Sequence, residues 1–474
     1  MTLSRRRFLA AGGVGAAATL LGGTGSLAHH KPNHKPPGRP SPPPPLIDPA
    51  ACPVDTVVVC MMENRSFDHY LGVLPGVDGL RSDMWNPDRD GERVYVHDLG
   101  TDTVAWPDPS HSWSGGRRQL NGGAMDGFVV TTGSHEPMGY YTSSTIPWLQ
   151  AFAPSFTIFD AWFCSHLGNT WPNRNYLHAA QDFGYTSNDS GDGYPAALSI
   201  YEQLDLAGVS WKYYFIDLPF LATYDRFPQW VEEGKIGTVA DYLAEAIAGR
   251  LPSVAMVDPA FFVNDDHPPA DVQLGQRFMA DVYGALAAGP HWASSALFVT
   301  YDEWGGFYDH VVPPRFPDLR PSDNIDEDHS QAGFRVPTVL AGPYARRGAV
   351  VSEPMDHASI TKFIEWRFGL PSLTPRDAAA VNPAAVAFDF ASPDLSLPEL
   401  PLPKIDPVAT ATSVAAVFLG ENPVPELTEV ATARVPAELL QLPETGIAIP
   451  TFDRSTGLVG ELFRVPPVGA ALPA

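Results

Sequence analysis

VVVCMMENRSFDHYLG, residues 57–72, is apolar up to Met62 and polar from Glu63 onward. The β-branched run Val57–Met62 has the length of a strand buried on both faces. It breaks at Glu63 and Asn64, which places a carboxylate and an amide at the strand's carboxyl end. Ser66 can cap a helix starting near Phe67, with Asp68 in its first turn. In open α/β sheets ligands gather at the carboxyl ends of strands. Glu63 and Asn64 are therefore either ligands for a cation or a phosphate group, or simple turn residues that cap the helix.

The same pattern recurs along the chain. Ala296–Tyr301 reads as a buried strand and runs into Asp302, Glu303, Trp304 and the pair Gly305-Gly306. Two adjacent acids repel each other unless a cation lies between them or one keeps its proton. On a regular strand they would face opposite ways, so the double-glycine turn is what can bring both to one site. Phe156–Phe163 reads as a strand ending in CSHLGNTWPNRNY, residues 164–176. Gly168 permits a tight turn and Pro172 suits a first helical turn, which puts Thr170 at or near a helix amino terminus. There the dipole favours an anion. Thr170 is a cap, or a hydroxyl that attacks phosphorus if a metal lowers its pKa. Val209–Phe215 and Ser253–Val257 read as strands, with helices over 239–249 and 271–288. The segment FVNDDHPP (262–269) sets acids and His267 at another strand end. A strand over 335–341 and a helix from about Ala358 to Phe368 follow. The long irregular stretch 79–139 carries His111 and Trp113, and such connections are usually functional.

ENRSFDHYLG, GNTWPNRNY, NDDHPP, YDEWGGFYDHV and DHASITKFIEW together closely resemble motifs of the bacterial phosphoesterases, a family that includes phosphatidylcholine-type phospholipase C and a secreted acid phosphatase. The resemblance spans roughly residues 55–370. It implies an α/β, alkaline-phosphatase-like fold, a mainly parallel central sheet with helices on both faces. It also implies that Glu63, Asn64, Thr170, Asp302 and Glu303 hold one divalent metal ion (Ca²⁺, Mg²⁺, Mn²⁺ or Zn²⁺). Thr170 corresponds to the nucleophile, and Asn64, His111 and His267 to groups on the phosphoryl oxygens, with His267 a donor to the leaving alcohol. His357 and His310 carry over without a single role. Trp304 stands where many relatives have a small or polar residue. Trp113, Trp171 and Trp304, with Tyr308 and His357, are candidate substrate contacts. The tryptophans would cage a choline-like cation or else belong to the core.

The remaining sequence bounds localisation and partners. Paired arginines in SRRRFLA (4–10), a Gly/Ala-rich apolar run and small residues near Ala28 resemble a twin-arginine export signal. The expected organisation is a signal at 1–28, a Pro/His-rich linker at 29–48, a catalytic domain at 49–387 and a Pro-rich C-terminal extension at 388–474 packed on it. The protein is then secreted or held in the cell envelope. A net charge of −24 disfavours nucleic acid and anionic lipid, because both demand cationic side chains. It tolerates a zwitterionic phospholipid or a neutral phosphoester, with transient contact at a membrane surface and no obligate protein partner. Cys52, Cys60 and Cys164 cannot build a disulfide framework, though one pair could bridge. The reading is a phospholipase C; the alternatives are an acid phosphatase of broad specificity and a secreted binding protein that lost turnover.

Overall fold

The structure is a computed structural model that describes residues 46–104, 108–261 and 263–405, together with the strands Ala448–Asp453 and Leu458–Arg464, which pair antiparallel. The expected export signal, nearly all of the linker and most of the C-terminal extension lie outside the described residues. Among the described residues no helix is long and apolar enough to cross a membrane. All three cysteines are buried and free.

Eight strands form the central sheet: β1 (Thr56–Met62), β2 (Thr157–Phe159), β3 (Trp211–Phe215), β4 (Ile236–Thr238), β5 (Val254–Val257), β6 (Ser295–Tyr301), β7 (Thr338–Ala341) and β8 (Val350–Val351). Their order is β8-β2-β7-β6-β1-β5-β3-β4. Every neighbouring pair is parallel except those made by β7, which runs against both β6 and β2. The chain is thus α/β with a mainly parallel sheet. Every residue of β1 and β6 is buried, as a sheet covered on both faces requires.

Register is what builds the site. Met62 pairs with Tyr301, and Cys60 pairs with Val257. Three strands distant in sequence therefore stop together, and the residues just beyond them, Glu63, Asp302 and Asp258, emerge at one edge of the sheet. Two strands differ from expectation. The chain leaves β2 after Phe159 and continues only as single bridges, Trp162 to Met355 and Phe163 to Arg335. The apolar run 335–341 yields only β7, in reverse direction; hydrophobicity marks burial but not polarity of the chain.

Five helices frame this edge or the faces behind it: α1 (Phe67–Tyr70), α2 (Thr170–Ala179), α3 (Val239–Ile247), α4 (Val272–Ala288) and α5 (Ala358–Phe368). Ser66 caps α1 as expected, its hydroxyl accepting the His69 N–H at 3.2 Å. Asp271 caps α4, and Thr238 with Asp241 forms a capping box on α3. Where the extension begins, Phe388 stacks on Phe363 of α5 at 4.9 Å.

Behind α1 a buried charge cluster locks the first strand's loop to the segment after β6. Arg335, fully buried, reaches Asp309 Oδ1 at 2.8 Å, Asp68 Oδ1 at 2.9 Å and the carbonyls of Asp78 and Asp160 at 2.7 Å each. His310 joins from the rim, its Nδ1 2.7 Å from Asp68 Oδ2. Burial opposes charge on this ring, but its hydrogen bond to Asp68 and the charges of Asp68 and Asp309 win and raise its pKa to about 8. A raised folded-state pKa means that protonated His310 stabilises the fold. That contribution is complete below the unfolded value of about 6.5 and disappears as pH climbs through about 8. Urea unfolding is expected to show a loss on the order of 2 kcal/mol across this window, and the loss should be absent from His310→Gln. An identical pH slope in the variant would assign the effect elsewhere.

Candidate active site

At the common end of β1, β5 and β6 the backbone knots three loops together. Glu63 N–H donates to the Asp265 carbonyl at 2.8 Å, Arg65 N–H to that of Glu303 at 3.1 Å, and Asp302 N–H to that of Met62 at 3.0 Å. Asn64 sits at φ +59°, a left-handed conformation that asparagine tolerates better than most residues. Gly305 (φ +62°) lies against it, and a Cβ there would come within 2.1 Å of the Asn64 carbonyl oxygen. Only glycine fits, which is the physical content of the double-glycine turn.

Asp302 and Glu303 do not point apart, because both lie beyond the strand. Asp302 Oδ1 accepts the backbone N–H of Asn64 (3.2 Å) and of Glu303 (2.7 Å). Glu303 Oε2 accepts Gly305 N–H at 2.7 Å. Glu303 Oε1 and Asn64 Oδ1 are buried and have no hydrogen-bond partner.

Thr170 is the first residue of α2, after the N-cap Asn169. Its loop is fixed by one side chain three residues later. Asn173 Nδ2 donates to the carbonyls of His166 (3.1 Å), Gly168 (2.8 Å) and Asn169 (3.1 Å), and its Oδ1 accepts His166 N–H at 2.8 Å. One turn along the same face of α2 stands Arg174, fully buried. Its guanidinium reaches Glu63 Oε1 at 3.1 Å, Asp258 Oδ2 at 3.1 Å and Asp302 Oδ2 at 3.2 Å. The helix that starts with Thr170 is thereby bolted to the first strand, the fifth and the sixth.

The charges at this edge do not balance. Burial, then repulsion by Asp302, pushes the pKa of Glu63 well above the ordinary range, with Arg174 only partly offsetting it. Glu303 is pushed up in the same way. Burial raises Asp302 to about 6 against the pull of Arg174, and Asp258 also rises by burial. Four buried carboxyl groups gather here and one guanidinium reaches only three of them, so they need protons or a further cation. The unpartnered oxygens of Glu303 and Asn64 are hard donors suited to such a cation, and the residues present fit a divalent metal. Arg174 also engages Glu63 and Asp302, two of the expected ligands. Among the described residues, acid and histidine groups with ligand atoms within 4.8 Å of one another are Asp108/His111/His267, His166/Asp182/His329 and Asp68/Asp309/His310. The Glu63, Asp302, Glu303 set is wider, with the guanidinium seated between the first two.

His111 and His267 meet beside these oxygens, ring centroids 5.6 Å apart. His111 Nδ1 donates to the Pro109 carbonyl at 2.9 Å, which leaves Nε2 to accept from Asn64 Nδ2 at 3.4 Å, 3.8 Å from Glu303 Oε1. His267 Nδ1 donates to the Pro268 carbonyl at 2.7 Å, and burial lowers its pKa.

The expected substrate contacts separate. Trp113 is partly exposed and packs on His166 and His329 at 4.7 and 5.1 Å. Trp171 is buried beside Phe220. Trp304 is fully buried, its indole N–H bound to Gln119 Oε1 at 2.9 Å. His357, also fully buried, uses Nε2 on the Asp302 carbonyl (2.7 Å) and Nδ1 to accept the indole N–H of Trp162 (3.4 Å). Trp304 and His357 thus have no surface to offer a substrate. Trp304 belongs to the core, and His357 steadies Asp302 from behind. Arg174, Asp258 and Asn173 went unread in the sequence. Asp258 had a signal, an acid directly after an apolar strand, whereas nothing in NTWPNRN tells an exposed arginine from a buried one.

The phosphoesterase family model matches residues 54–371. The chain is 36% identical over 375 residues to the non-specific phospholipase C1 of Arabidopsis thaliana, covering 69% of this chain and 70% of that protein. It is 34% identical over 462 residues to phospholipase C A of Mycobacterium tuberculosis, covering 82% and 86%. Among solved structures it resembles an alkaline phosphatase superfamily protein of Vibrio parahaemolyticus, at 8% identity and a TM-score of 0.35 over 80% of this chain and 88% of that one.

Proposed function

The chain belongs to the phosphoesterase family, hydrolases of phosphoric ester bonds, and on that premise we propose that it is a secreted phospholipase C. In this reading it cleaves the glycerol–phosphate bond of a zwitterionic phospholipid through the Thr170 hydroxyl. The observation that carries the reading is the seat of Thr170 at the head of a helix whose Arg174, one turn on, is bound to both Glu63 and Asp302. A divalent cation held by Glu63, Asn64, Asp302 and Glu303 would supply the positive charge that favours ionisation of a neighbouring hydroxyl.

The chain's own groups account for the rest. Thr170 Oγ1 attacks phosphorus in line, and the bond from phosphorus to the glycerol oxygen breaks. The Thr170 hydroxyl proton passes to solvent as the bond forms. His267, whose Nδ1 is committed to the Pro268 carbonyl, acts as the imidazolium and gives its Nε2 proton to the leaving oxygen. The Asn64 amide donates to the equatorial oxygens as charge grows on them, and His111 does so from Nε2 when that nitrogen carries a proton. Water then opens the phosphodiester between Thr170 and the headgroup, which releases the phosphorylated headgroup and restores the hydroxyl. The acidic surface suits a zwitterionic lipid at the membrane surface, and the amino-terminal arginines suit export by the twin-arginine route.

The test compares p-nitrophenyl phosphate with its phosphocholine ester. A kcat/KM at least about tenfold higher for the phosphocholine ester, a discrimination near 1.4 kcal/mol, is expected. The reverse preference would replace the phospholipase by a phosphomonoesterase while keeping the same chemistry.

A further inference from the structure

Beyond the carboxylate edge, His166, Asp182 and His329 converge from three segments: the loop before α2, the turn after it, and the strand-poor stretch leading to β7. Their ligand atoms all lie within 4.8 Å of one another. We propose that these three side chains form a second metal site, one that takes a zinc-class transition-metal ion. His166 and Asp182 are fully buried, and His329 is nearly so.

Both imidazoles converge on one buried oxygen. A single oxygen, Asp182 Oδ2, meets His166 Nδ1 at 3.0 Å, His329 Nδ1 at 2.5 Å and the Tyr176 hydroxyl at 3.4 Å. The Tyr176 hydroxyl gives its proton to Asp318 at 2.6 Å, so the two imidazoles are the donors to this oxygen, while the other carboxylate oxygen takes Gly184 N–H at 2.8 Å and lies 3.6 Å from Arg320. A metal among the three would take the place of the two imidazole hydrogen bonds. Each imidazole then gives a lone pair instead of a proton, and the carboxylate gives its oxygen. Tetrahedral zinc with bonds of about 2.0–2.2 Å holds its ligand atoms roughly 3.3 Å apart, so the rings need retreat by less than about 1 Å. Two imidazoles and one carboxylate match the preference of zinc rather than of calcium or magnesium. Outer contacts that hold the carboxylate and cover the rings are also present. Arg320 and Gly184 hold the Asp182 carboxylate, the Tyr176 hydroxyl bridges Asp182 to Asp318 at 2.6 Å, and Trp113 covers both rings. The site would pin the loop that delivers Thr170 without touching the reacting atoms.

The test uses the full-length protein, stripped with a chelator, reloaded with Zn²⁺ or Co²⁺ and desalted. Metal content is then measured beside the visible cobalt spectrum. His329→Ala should retain one equivalent fewer than wild type and lose the bands of a four-coordinate, imidazole-bound cobalt. Glu303→Gln should keep those bands, which separates this site from the carboxylate edge even if that edge binds nothing. Should His329→Ala prove unfolded by circular dichroism, His329→Gln serves in its place, and the Glu303→Gln spectrum stands independently of both. Equal zinc in wild type and the His329 variant, or cobalt bands that vanish with Glu303, would overturn the proposal and leave three hydrogen-bonded side chains.

Discussion

Thr170→Ala is expected to lower kcat on the phosphocholine ester by at least about four orders of magnitude while leaving the fold intact. A nucleophile has no substitute in a double displacement; what survives its loss is binding and charge stabilisation alone. The fold should tolerate the change, because the N-cap position belongs to Asn169 and the loop is held by Asn173 rather than by the threonine. Thr170→Ser should keep most of the activity, since it returns the hydroxyl. Wild-type enzyme acid-quenched during turnover of the phosphocholine ester should carry one extra phosphocholine group by intact mass, located on Thr170 by peptide mapping. Turnover of the alanine variant near that of wild type would end the assignment.

Exhaustive chelation at neutral pH is the second large effect: activity should fall by more than about a hundredfold and return on adding a divalent ion. Burial and mutual repulsion hold Glu63 and Glu303 well above the usual carboxylate range and Asp302 at about 6. The upward shifts favour the protonated forms when no cation is present, so binding one must expel protons. Metal affinity is accordingly expected to weaken as pH falls toward 6 and below. Calorimetric titrations in buffers of different ionisation enthalpy should report net proton release. Full activity after chelation, or binding that releases no protons, would remove the cation from the mechanism.

The central strands were readable because a strand buried on both faces must be a continuous apolar run, and 57–62, 253–257 and 296–301 are such runs. The breaks after the first and third were readable for the same reason, a carboxylate directly following such a run, whereas Asp258 carried that signal after the second and went unread. What stayed hidden depends on partners far away in the chain. The reversed direction of β7 leaves no trace in its composition. Arg174 looks like any helical arginine until three acids from three strands are seen around it. His357 and Trp304 sit in motifs that attract a functional reading, yet each spends its polar atom on the protein. His166, Asp182 and His329 could not be grouped from sequence because no spacing links them.

The interleaving of β1, β5 and β6 also bears on when the protein can act. Its chemistry needs Glu63 from the first strand and Glu303 from beyond the sixth, and the intervening two hundred or so residues must all be threaded before they meet. Pairings of such long sequence separation form late and slowly. A chain still short of Glu303 on the ribosome therefore lacks half of the carboxylate edge. The proposed chemistry stays silent through much of synthesis, because topology withholds that edge until the sixth strand is in place.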